Sequence, residues 1–337
     1  MRSAGWPLAG VIVAAMVSGV WTAGRPPQKP APAPPAAVTT APMAEVVART
    51  EPSVVTIHTS EGGIGSGVVY RADGVIVTNE HVVRAARSVT VAFADGSRVA
   101  GQVTGADPIT DLAVVKVQRT GLPTITVRTD LPRTGETALV IGSPLGFENT
   151  VTLGIISGVG RQIPLSTTGG RPLVDLIQTD AAISPGNSGG ALIDRQGRLV
   201  GISEAYIPPA AGAVSLGFAI PASTVVDVAD QLLTSGSATH PYLGVSVTSL
   251  TAGVAQALGA KVNSGALIRQ VQAGGPAATA TAQTGDVIVR FGDRPVTGVG
   301  DLYAALRAVE PGQTANIVVN RGGEVRTVQV TLGTLKK

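Results

Sequence analysis

Residues 180–190 read DAAISPGNSGG and place Ser188 in a loop bounded by glycines, immediately before the strand-like run ALID. A serine hydroxyl is a weak nucleophile unless a base stands beside it, and that base needs a carboxylate to fix its tautomer. The chain supplies both upstream, since TNEHVV carries His81 where a strand-like run ends and Asp111 directly precedes LAVVKV. The order histidine, aspartate, serine predicts a triad of His81, Asp111 and Ser188.

The glycines around Ser188 have a chemical task of their own. Negative charge that develops on a tetrahedral intermediate needs two converging backbone N–H groups, which a tight loop offers. Gly186 and Ser188 can supply these groups, while Gly189 and Gly190 let substrate and strand approach without an intervening Cβ. The loop therefore predicts an oxyanion hole beside the nucleophile.

Each of these residues also has an ordinary interpretation. A single histidine in a turn is usually exposed or caps a helix, and an aspartate before a strand is usually a turn residue. The other two histidines are weaker candidates for the base, because His58 lies within a strand-like run and His240 precedes Pro241 in a linker. Asp180 is so close to Ser188 in sequence that it suits a loop-anchoring role better.

Short β-rich runs fill residues 43–234, and turn pairs such as Asp73-Gly74 and Asp95-Gly96 separate them. The runs include VVTIHT, GVVY, GVIVTN, SVTVAF, LAVVKV, ALVIG, LIQTD, ALID and LVGIS. Many short strands with closely spaced turns predict a β-barrel or a β-sandwich. Only residues 222–233, ASTVVDVADQLL, favour a helix of any length in this region.

Residues 235–240 are small and polar, and they predict a linker to a second unit at residues 241–335. That unit alternates the strand-like runs YLGVSV, GALIRQV, DVIVRF, NIVVN and TVQVTL with helical stretches near 251–258 and 300–309. A length of 337 residues agrees with two domains. The predicted fold class is mainly β.

Residues 1–24 predict a membrane anchor or a signal segment. The twenty residues 5–24 are uncharged, mostly apolar and bracketed by Trp6 and Trp21, and such a run can span a bilayer. A cleaved signal peptide is the alternative, and either interpretation places the remaining domains outside the cytoplasm. Residues 25–42 hold seven prolines in eighteen positions, which predicts an extended linker.

The composition excludes several kinds of chemistry. The chain has no cysteine, so disulfides, thiolate catalysis and thiolate-ligated metals are impossible. The net charge is +3, and residues 1–42 hold three basic side chains and no acidic one, so the remaining residues are neutral overall. Because aromatic residues make up only 3%, nucleic acid is not an expected partner. The predicted triad needs no metal and no cofactor.

The sequence resembles the HtrA (Deg) family of chymotrypsin-like serine proteases, which carry a C-terminal PDZ domain. The resemblance covers about residues 43–335 and rests on TNEHVV, DLAVVKV, IGSPLGFENTVTLGIISGVGR, LIQTDAAISPGNSGGAL and GFAIP. It implies two six-stranded β-barrels with the active site in the cleft between them. It also implies His81 as the general base, Asp111 as its orienting carboxylate and Ser188 as the nucleophile. The implied oxyanion hole consists of Gly186, Asn187 and Ser188.

Two binding regions follow from the same resemblance. The primary specificity pocket is expected to be apolar unless Glu204 points inward, and its lining would be Ile183, Ile202, Ser203, Glu204, Ala205 and Phe218. In the second unit, a short segment resembles the loop with which PDZ domains bind the carboxylate of a peptide C-terminus. That segment consists of Tyr242, Leu243, Gly244 and Val245. A PDZ fold that serves only to pack domains together is the alternative.

The sequence as a whole predicts an exported, membrane-tethered serine endopeptidase that cleaves misfolded or unstructured proteins in the bacterial cell envelope. The resemblance suggests a homotrimer. An alternative is a PDZ-based binding or chaperone-like protein whose protease domain is resting or inactive, although an intact triad argues against it. An esterase would use the same nucleophile, but the alternating strands and helices of an α/β-hydrolase are missing.

Overall fold

The computed structural model describes residues 42–84, 86–142, 150–163, 173–207, 216–257 and 259–336. The predicted membrane or signal segment and all of the proline-rich linker except Pro42 lie outside these residues. Among the helices that are described, none combines the length and the apolar character needed to cross a membrane.

A first barrel closes from six antiparallel strands in the order β1-β2-β3-β6-β5-β4. Valines and isoleucines fill its interior, because β-branched side chains pack well on a pleated surface. Ile57, Val69, Ile76 and Val115 have no exposed surface at all. The strands are β1 (Val54–His58), β2 (Ile64–Arg71), β3 (Val75–Thr78), β4 (Ser88–Ala92), β5 (Arg98–Asp107) and β6 (Leu112–Val117).

A second closed barrel follows, with the strand order β10-β11-β12-β9-β8-β7. The predicted pair of six-stranded barrels is therefore confirmed. The loop that carries Ser188 joins β9 to β10, so the nucleophile lies at one end of this barrel. The strands are β7 (Thr137–Gly142), β8 (Thr150–Ile163), β9 (Leu173–Thr179), β10 (Ala191–Ile193), β11 (Leu199–Ile207) and β12 (Leu216–Pro221).

One apolar cluster packs the two barrels against each other. It combines Val77 and Leu112 of the first barrel with Leu139 and Ile141 of the second. Helix α3 (Ala222–Ser235) confirms the helix predicted at 222–233, and its buried apolar face completes the same cluster. Because burial of apolar surface is the main stabilising contribution to folding, this cluster fixes the barrels relative to each other. Two further helices precede it, α1 (Met43–Thr50) and α2 (Glu80–Val83).

The second unit has its own core and a sheet in the order β14-β15-β16-β18-β19. Its strands are β14 (Val245–Ser249), β15 (Ala266–Val271), β16 (Val287–Phe291), β17 (Arg294–Pro295), β18 (Thr314–Arg321) and β19 (Glu324–Thr331), with β17 paired to β16. Its helices are α4 (Ala252–Ala257), α5 (Pro276–Thr279) and α6 (Val299–Arg307), and α4 and α6 lie where the sequence predicts helices.

A two-stranded ribbon connects this unit to the barrels. It pairs β13 (Thr239–Tyr242) with β20 (Gly333–Lys336), near the end of the chain. Helix α3 ends at Gly236, whose φ of 73° is a left-handed conformation that glycine adopts at no steric cost. The ribbon also contains His240, which lies in β13 and not in the linker that the sequence predicts.

Candidate active site

Asp111 lies in the turn between β5 and β6 and is fully buried. Its φ of 59° is a left-handed conformation that aspartate tolerates better than most residues do. The Asp111 carbonyl accepts hydrogen bonds from the Glu80 N–H at 3.0 Å and from the Asn79 side-chain amide at 2.9 Å. These bonds tie the turn to the start of α2 and orient the carboxylate toward that helix.

His81 lies in the first turn of α2, directly above this carboxylate. The His81 backbone N–H donates to Asp111 Oδ1 at 3.0 Å, and His81 Nδ1 lies 2.5 Å from Asp111 Oδ2. A carboxylate at Nδ1 favours the tautomer with its proton there, which leaves Nε2 able to accept a proton. The imidazole is 29% exposed, whereas Asp111 is completely enclosed, so the pair suits a base that opens onto a cleft.

Ser188 lies in the loop after β9 and is partly buried. Its hydroxyl donates a hydrogen bond to the Glu204 carbonyl on β11 at 3.0 Å. Its own carbonyl accepts the Ser66 N–H of the first barrel at 2.8 Å. Ser188 is therefore held by both barrels, and its hydroxyl must turn away from the Glu204 carbonyl before it can donate to His81.

Ser66 fastens the serine loop to the first barrel. Its hydroxyl donates to the Gly186 carbonyl at 2.7 Å, while its carbonyl accepts the Thr78 hydroxyl at 2.6 Å. Gly189, with a φ of 85°, lies against the same strand, where a Cβ would collide with the Ser66 carbonyl and the Thr78 hydroxyl. The glycine could be predicted from the sequence, but Ser66 could not, because its role depends on a contact between segments far apart in the chain.

The backbone of the serine loop contains the residues predicted to form the oxyanion hole. Gly186 has a φ of 99°, and the Asn187 N–H turns inward to donate to the Ser184 carbonyl at 2.9 Å. Within the described residues, the N–H groups of Gly186 and Ser188 have no hydrogen-bond acceptor. The Asn187 side chain is buried, so neither its amide nor its N–H faces the cleft.

The residues expected to line the specificity pocket are mostly buried. Ile183 packs against Gly217, and Phe218 is 5% exposed. Ile202 belongs to the shared cluster between the barrels, and the Ser203 hydroxyl donates to the Asn187 carbonyl at 2.5 Å. Ser203 therefore bonds directly to the serine loop, whereas Ile202 belongs to the core. Ala205 continues β11 opposite Phe218.

Glu204 differs from its neighbours because its carboxylate lies beside His81 and Asp111. One donor atom each from His81, Asp111 and Glu204 fall within 4.8 Å of one another, and Glu204 is 2% exposed. The Glu204 carboxylate is therefore turned toward His81 and Asp111. Three such groups at this spacing could also surround a metal ion. His81 Nδ1 and Asp111 already bond to each other, as expected of a base and its orienting carboxylate.

The predicted carboxylate-binding loop lies at one end of a groove in the second unit. A cavity of about 270 Å³ is lined by residues 240–245, by Val247 on β14 and by Leu302 and Leu306 on α6. Gly244 has a φ of 78°, and the carbonyls of Leu243 and Gly244 accept N–H groups from the segment that precedes and enters α5. Within the described strands β14 pairs only with β15, so its other edge faces this groove.

Arg307 at the end of α6 also lines this groove and links it to the protease barrels. It donates to the Val174 carbonyl at 2.6 Å and to the Ile109 carbonyl at 3.4 Å. Arg307 as a residue is partly exposed, yet burial of its guanidinium lowers its pKa, against the opposing charges of Asp175 and Asp107.

Asp107 and His240 form a second link between the barrels and the second unit. His240 Nε2 lies 3.0 Å from Asp107 Oδ2, which is almost fully buried. Burial acts to raise the pKa of Asp107, but hydrogen bonds from His240, Thr110 and Ile109 outweigh it and hold that pKa below its usual value. His240 therefore has a structural partner that the sequence did not indicate.

Comparison with known proteins matches both folded units. A family model of the trypsin-like peptidase domain matches residues 65–202, and a PDZ domain model matches residues 241–332. A probable periplasmic serine endoprotease, DegP-like, of Pseudomonas fulva is 40% identical over 81% of this chain and 56% of its own length. The serine protease PepD of Mycobacterium tuberculosis is 42% identical over 86% of this chain and 65% of its own length.

Solved structures give the same result. The HtrA-type protease AlgW with a decapeptide is 34% identical, covers 88% of this chain and 99% of its own, and superposes with a TM-score of 0.73. A serine endoprotease from Yersinia pestis is 31% identical with a TM-score of 0.66 and covers 88% of this chain and 98% of its own. The chain spans about half the length of the DegP-like relatives that it matches. Its two barrels, its PDZ unit and these similarities place the chain in the family of HtrA-type serine proteases.

Proposed function

We propose that this chain is a serine endopeptidase that cleaves locally extended, unstructured polypeptides outside the cytoplasm. The observation that carries the proposal is the 2.5 Å contact between His81 Nδ1 and Asp111 Oδ2 at the cleft that also holds the Ser188 loop. Only an extended backbone fits a cleft between two barrels, so folded proteins resist cleavage. Relatives named periplasmic endoproteases support this assignment.

The chemistry follows from the protonation state of His81. Its Nε2 accepts the Ser188 hydroxyl proton as Oγ attacks the scissile carbonyl, and Asp111 stabilises the imidazolium that forms. The N–H groups of Gly186 and Ser188 bind the oxygen that becomes negative. His81 then gives its proton to the leaving amine, and water repeats the sequence on the acyl-enzyme to release the second product.

In the PDZ unit, we propose that a peptide C-terminus binds along the free edge of β14. The N–H groups of Leu243, Gly244 and Val245 hold its carboxylate, and its side chains occupy the apolar groove next to α6. The peptides bound to AlgW support peptide recognition by this architecture. Residues 5–24 would tether the protease to a membrane and residues 25–42 would hold it away from the surface, and we propose a homotrimer as the assembly.

The test is labelling by a fluorophosphonate probe, which reacts with activated serine nucleophiles. The wild-type chain should be labelled, Ser188→Ala should not, and Ser223→Ala, at an exposed serine of α3, should be labelled as the wild type is. Denatured casein should be cleaved by the proteins that label, and natively folded proteins should survive. A folded wild type that neither labels nor cleaves, even with peptides bound to its PDZ unit, would instead establish the binding protein.

A further inference from the structure

A cavity of about 260 Å³ lies beside His81 and is not used by the proton transfers of the proposed mechanism. Its walls come from the turn between β1 and β2, from α2 and from the residues that directly follow α2. Ile183 and Phe218, which are expected to line the primary specificity pocket, belong instead to the part of the chain that forms the second barrel. The cavity is therefore separate from that pocket and lies on the His81 side of the cleft.

Packing between α2 and β2 fixes the walls of this cavity. Val82 of α2 fills the space that Gly65 of β2 leaves open, since a Cβ on Gly65 would lie only 2.5 Å from Val82 Cγ1. The neighbouring turn closes on itself, because the Thr59 N–H donates to the Gly63 carbonyl and the Gly63 N–H donates to the Thr59 hydroxyl, each at 3.0 Å. Glu61 is thereby held in the exposed part of this turn, where it lines the cavity.

The chemistry of His81 determines which part of a substrate reaches this cavity. His81 gives its proton to the leaving amine, which is the new N-terminus of the segment that follows the scissile bond. That amine must lie within hydrogen-bond distance of His81, so the first residues of the segment run past His81 and away from the acyl group on Ser188. The cavity lined by His81 and Val82 is therefore placed to receive a side chain one or two residues after the scissile bond.

Three titratable residues line the cavity, and they leave it with a negative charge. Arg84 is balanced by Glu80, because its Nη2 donates to Glu80 Oε2 at 2.8 Å and its Nε lies 3.2 and 3.3 Å from the two carboxylate oxygens. His81 is neutral in the form that accepts the serine proton. Within the described part of the chain, none of the ion pairs includes Glu61, whose side chain is exposed. The charge that a substrate side chain meets there is that of Glu61.

Resting on the proposed endopeptidase function, we propose that Glu61 selects substrates with a lysine or an arginine within the first two residues after the scissile bond. Val82 and Ala86 offer apolar surface to the aliphatic stem of such a side chain, and the Glu61 carboxylate pairs with its cationic head. Because this carboxylate is exposed, the pair is weak and raises kcat/KM by roughly two- to fivefold. A selectivity of this size directs cleavage to particular bonds of an unstructured chain without restricting the enzyme to one sequence.

The experiment first maps by mass spectrometry which bonds of denatured casein the protease cleaves. Peptides are then made around one cleaved bond, with lysine, norleucine or glutamate at each of the two positions after it. Norleucine keeps the aliphatic stem of lysine and lacks its charge. At one of the two positions the wild type should cleave the lysine peptide with a kcat/KM roughly two- to fivefold above that of the norleucine peptide, and the glutamate peptide most slowly. High salt should reduce the difference, because it screens exposed charges.

Three variants isolate the charge of Glu61. Glu61→Gln should cleave the lysine and norleucine peptides equally well, and Glu61→Lys should favour the glutamate peptide. Glu45→Gln is the matched control, because it makes the same change in net charge at an exposed glutamate of α1 that does not line the cavity, and it should keep the wild-type preference. A fluorophosphonate carries no peptide segment after its reacting centre, so all three variants should label Ser188 at the wild-type rate.

The outcomes separate this proposal from the proposed function. A wild type that labels and cleaves casein but treats the three peptides alike at both positions overturns the selection by Glu61 and leaves the protease assignment intact. A wild-type preference for glutamate also overturns it, since Arg84 would then set the charge of the cavity. So does a lysine preference that persists in Glu61→Gln. A wild type that neither labels nor cleaves refutes the proposed function, and the selection by Glu61 with it.

Discussion

Two structural requirements meet at Asp111: its backbone adopts a left-handed conformation, and its carboxylate faces His81. Its carbonyl is fixed by Glu80 and Asn79, and its two carboxylate oxygens are used by the backbone and the ring of His81. Since asparagine shares the tolerance of aspartate for a positive φ, Asp111→Asn is a substitution that tests the charge while it spares the backbone.

We expect Asp111→Asn to fold and to lose activity by roughly 10⁴-fold in kcat. The new amide donates to Nδ1, so the ring holds its proton on Nε2 and cannot accept one from Ser188. The measurement is the cleavage rate of denatured casein, with circular dichroism to show that the fold is kept. Loss of less than tenfold in a folded variant would remove Asp111 from the mechanism.

The pairing of His81 with Asp111 could be predicted from sequence, because a histidine and an aspartate in this order, upstream of a glycine-bounded serine, form an informative pattern. The position of the Glu204 side chain could not be predicted. It depends on a β-bulge, which is a shift of register between β11 and β12 and has no signature in the local sequence. The direction of this side chain depends on how β11 pairs with β12, and that pairing is defined only in the folded sheet.

The serine loop depends on close approach between the barrels, and Gly189 is where that approach is tightest. Gly189→Ala should destabilise the chain in two ways. Its φ of 85° costs an alanine about 1–2 kcal/mol, and its Cβ would collide with the Ser66 carbonyl and the Thr78 hydroxyl, which adds about 1–3 kcal/mol. The loop would also be displaced from its hydrogen bonds with Ser66, so labelling of Ser188 should slow.

Gly96→Ala is the matched control for this prediction. Gly96 has a φ of 80° and no atom within 4 Å of the position that a Cβ would occupy, so only the backbone cost remains. Urea unfolding of both variants measures the difference. Equal destabilisation by the two substitutions would show that the barrels can separate at Gly189 without cost.

Elements with strong periodicity were predicted better than elements that depend on the rest of the fold. The strands around the triad and the helix α3 follow from alternation, turn residues and a long apolar face. Helix α1 was not predicted, because eight residues form a marginal helix on their own. It is held by tertiary contacts, since Val46 is buried in the cluster between the barrels and Arg49 donates to the Gln196 carbonyl at 2.8 Å.

The PDZ unit is attached to the protease barrels by polar contacts that involve the neighbourhood of the triad. Asp107 ends β5 and Ile109 lies in the turn that follows, a few residues before Asp111, and they bond to His240 and Arg307 respectively. The sequence indicated two domains but could not show that buried polar and charged groups of one domain contact the other. These contacts join groups that are more than 130 residues apart in the sequence.

Arg307 is the residue through which this docking can be tested. Arg307→Ala removes the donor to the Val174 and Ile109 carbonyls and takes away a cation that lowers the pKa of Asp175, which burial raises. Buried acceptors left without a donor cost about 1–3 kcal/mol. We therefore expect a lower melting temperature and a larger radius of gyration by X-ray scattering, because the PDZ unit is released from β9.

Arg307→Lys should recover part of the loss, since an ammonium group can reach one carbonyl but lacks the fork that serves two. Arg290→Ala is the control within the same unit, because Arg290 and Asp293 are both exposed and their 4.0 Å contact contributes little. If Arg307→Ala kept the melting temperature and dimensions of the wild type, the apolar surfaces alone would hold the two units together, and the buried guanidinium would have no part in docking.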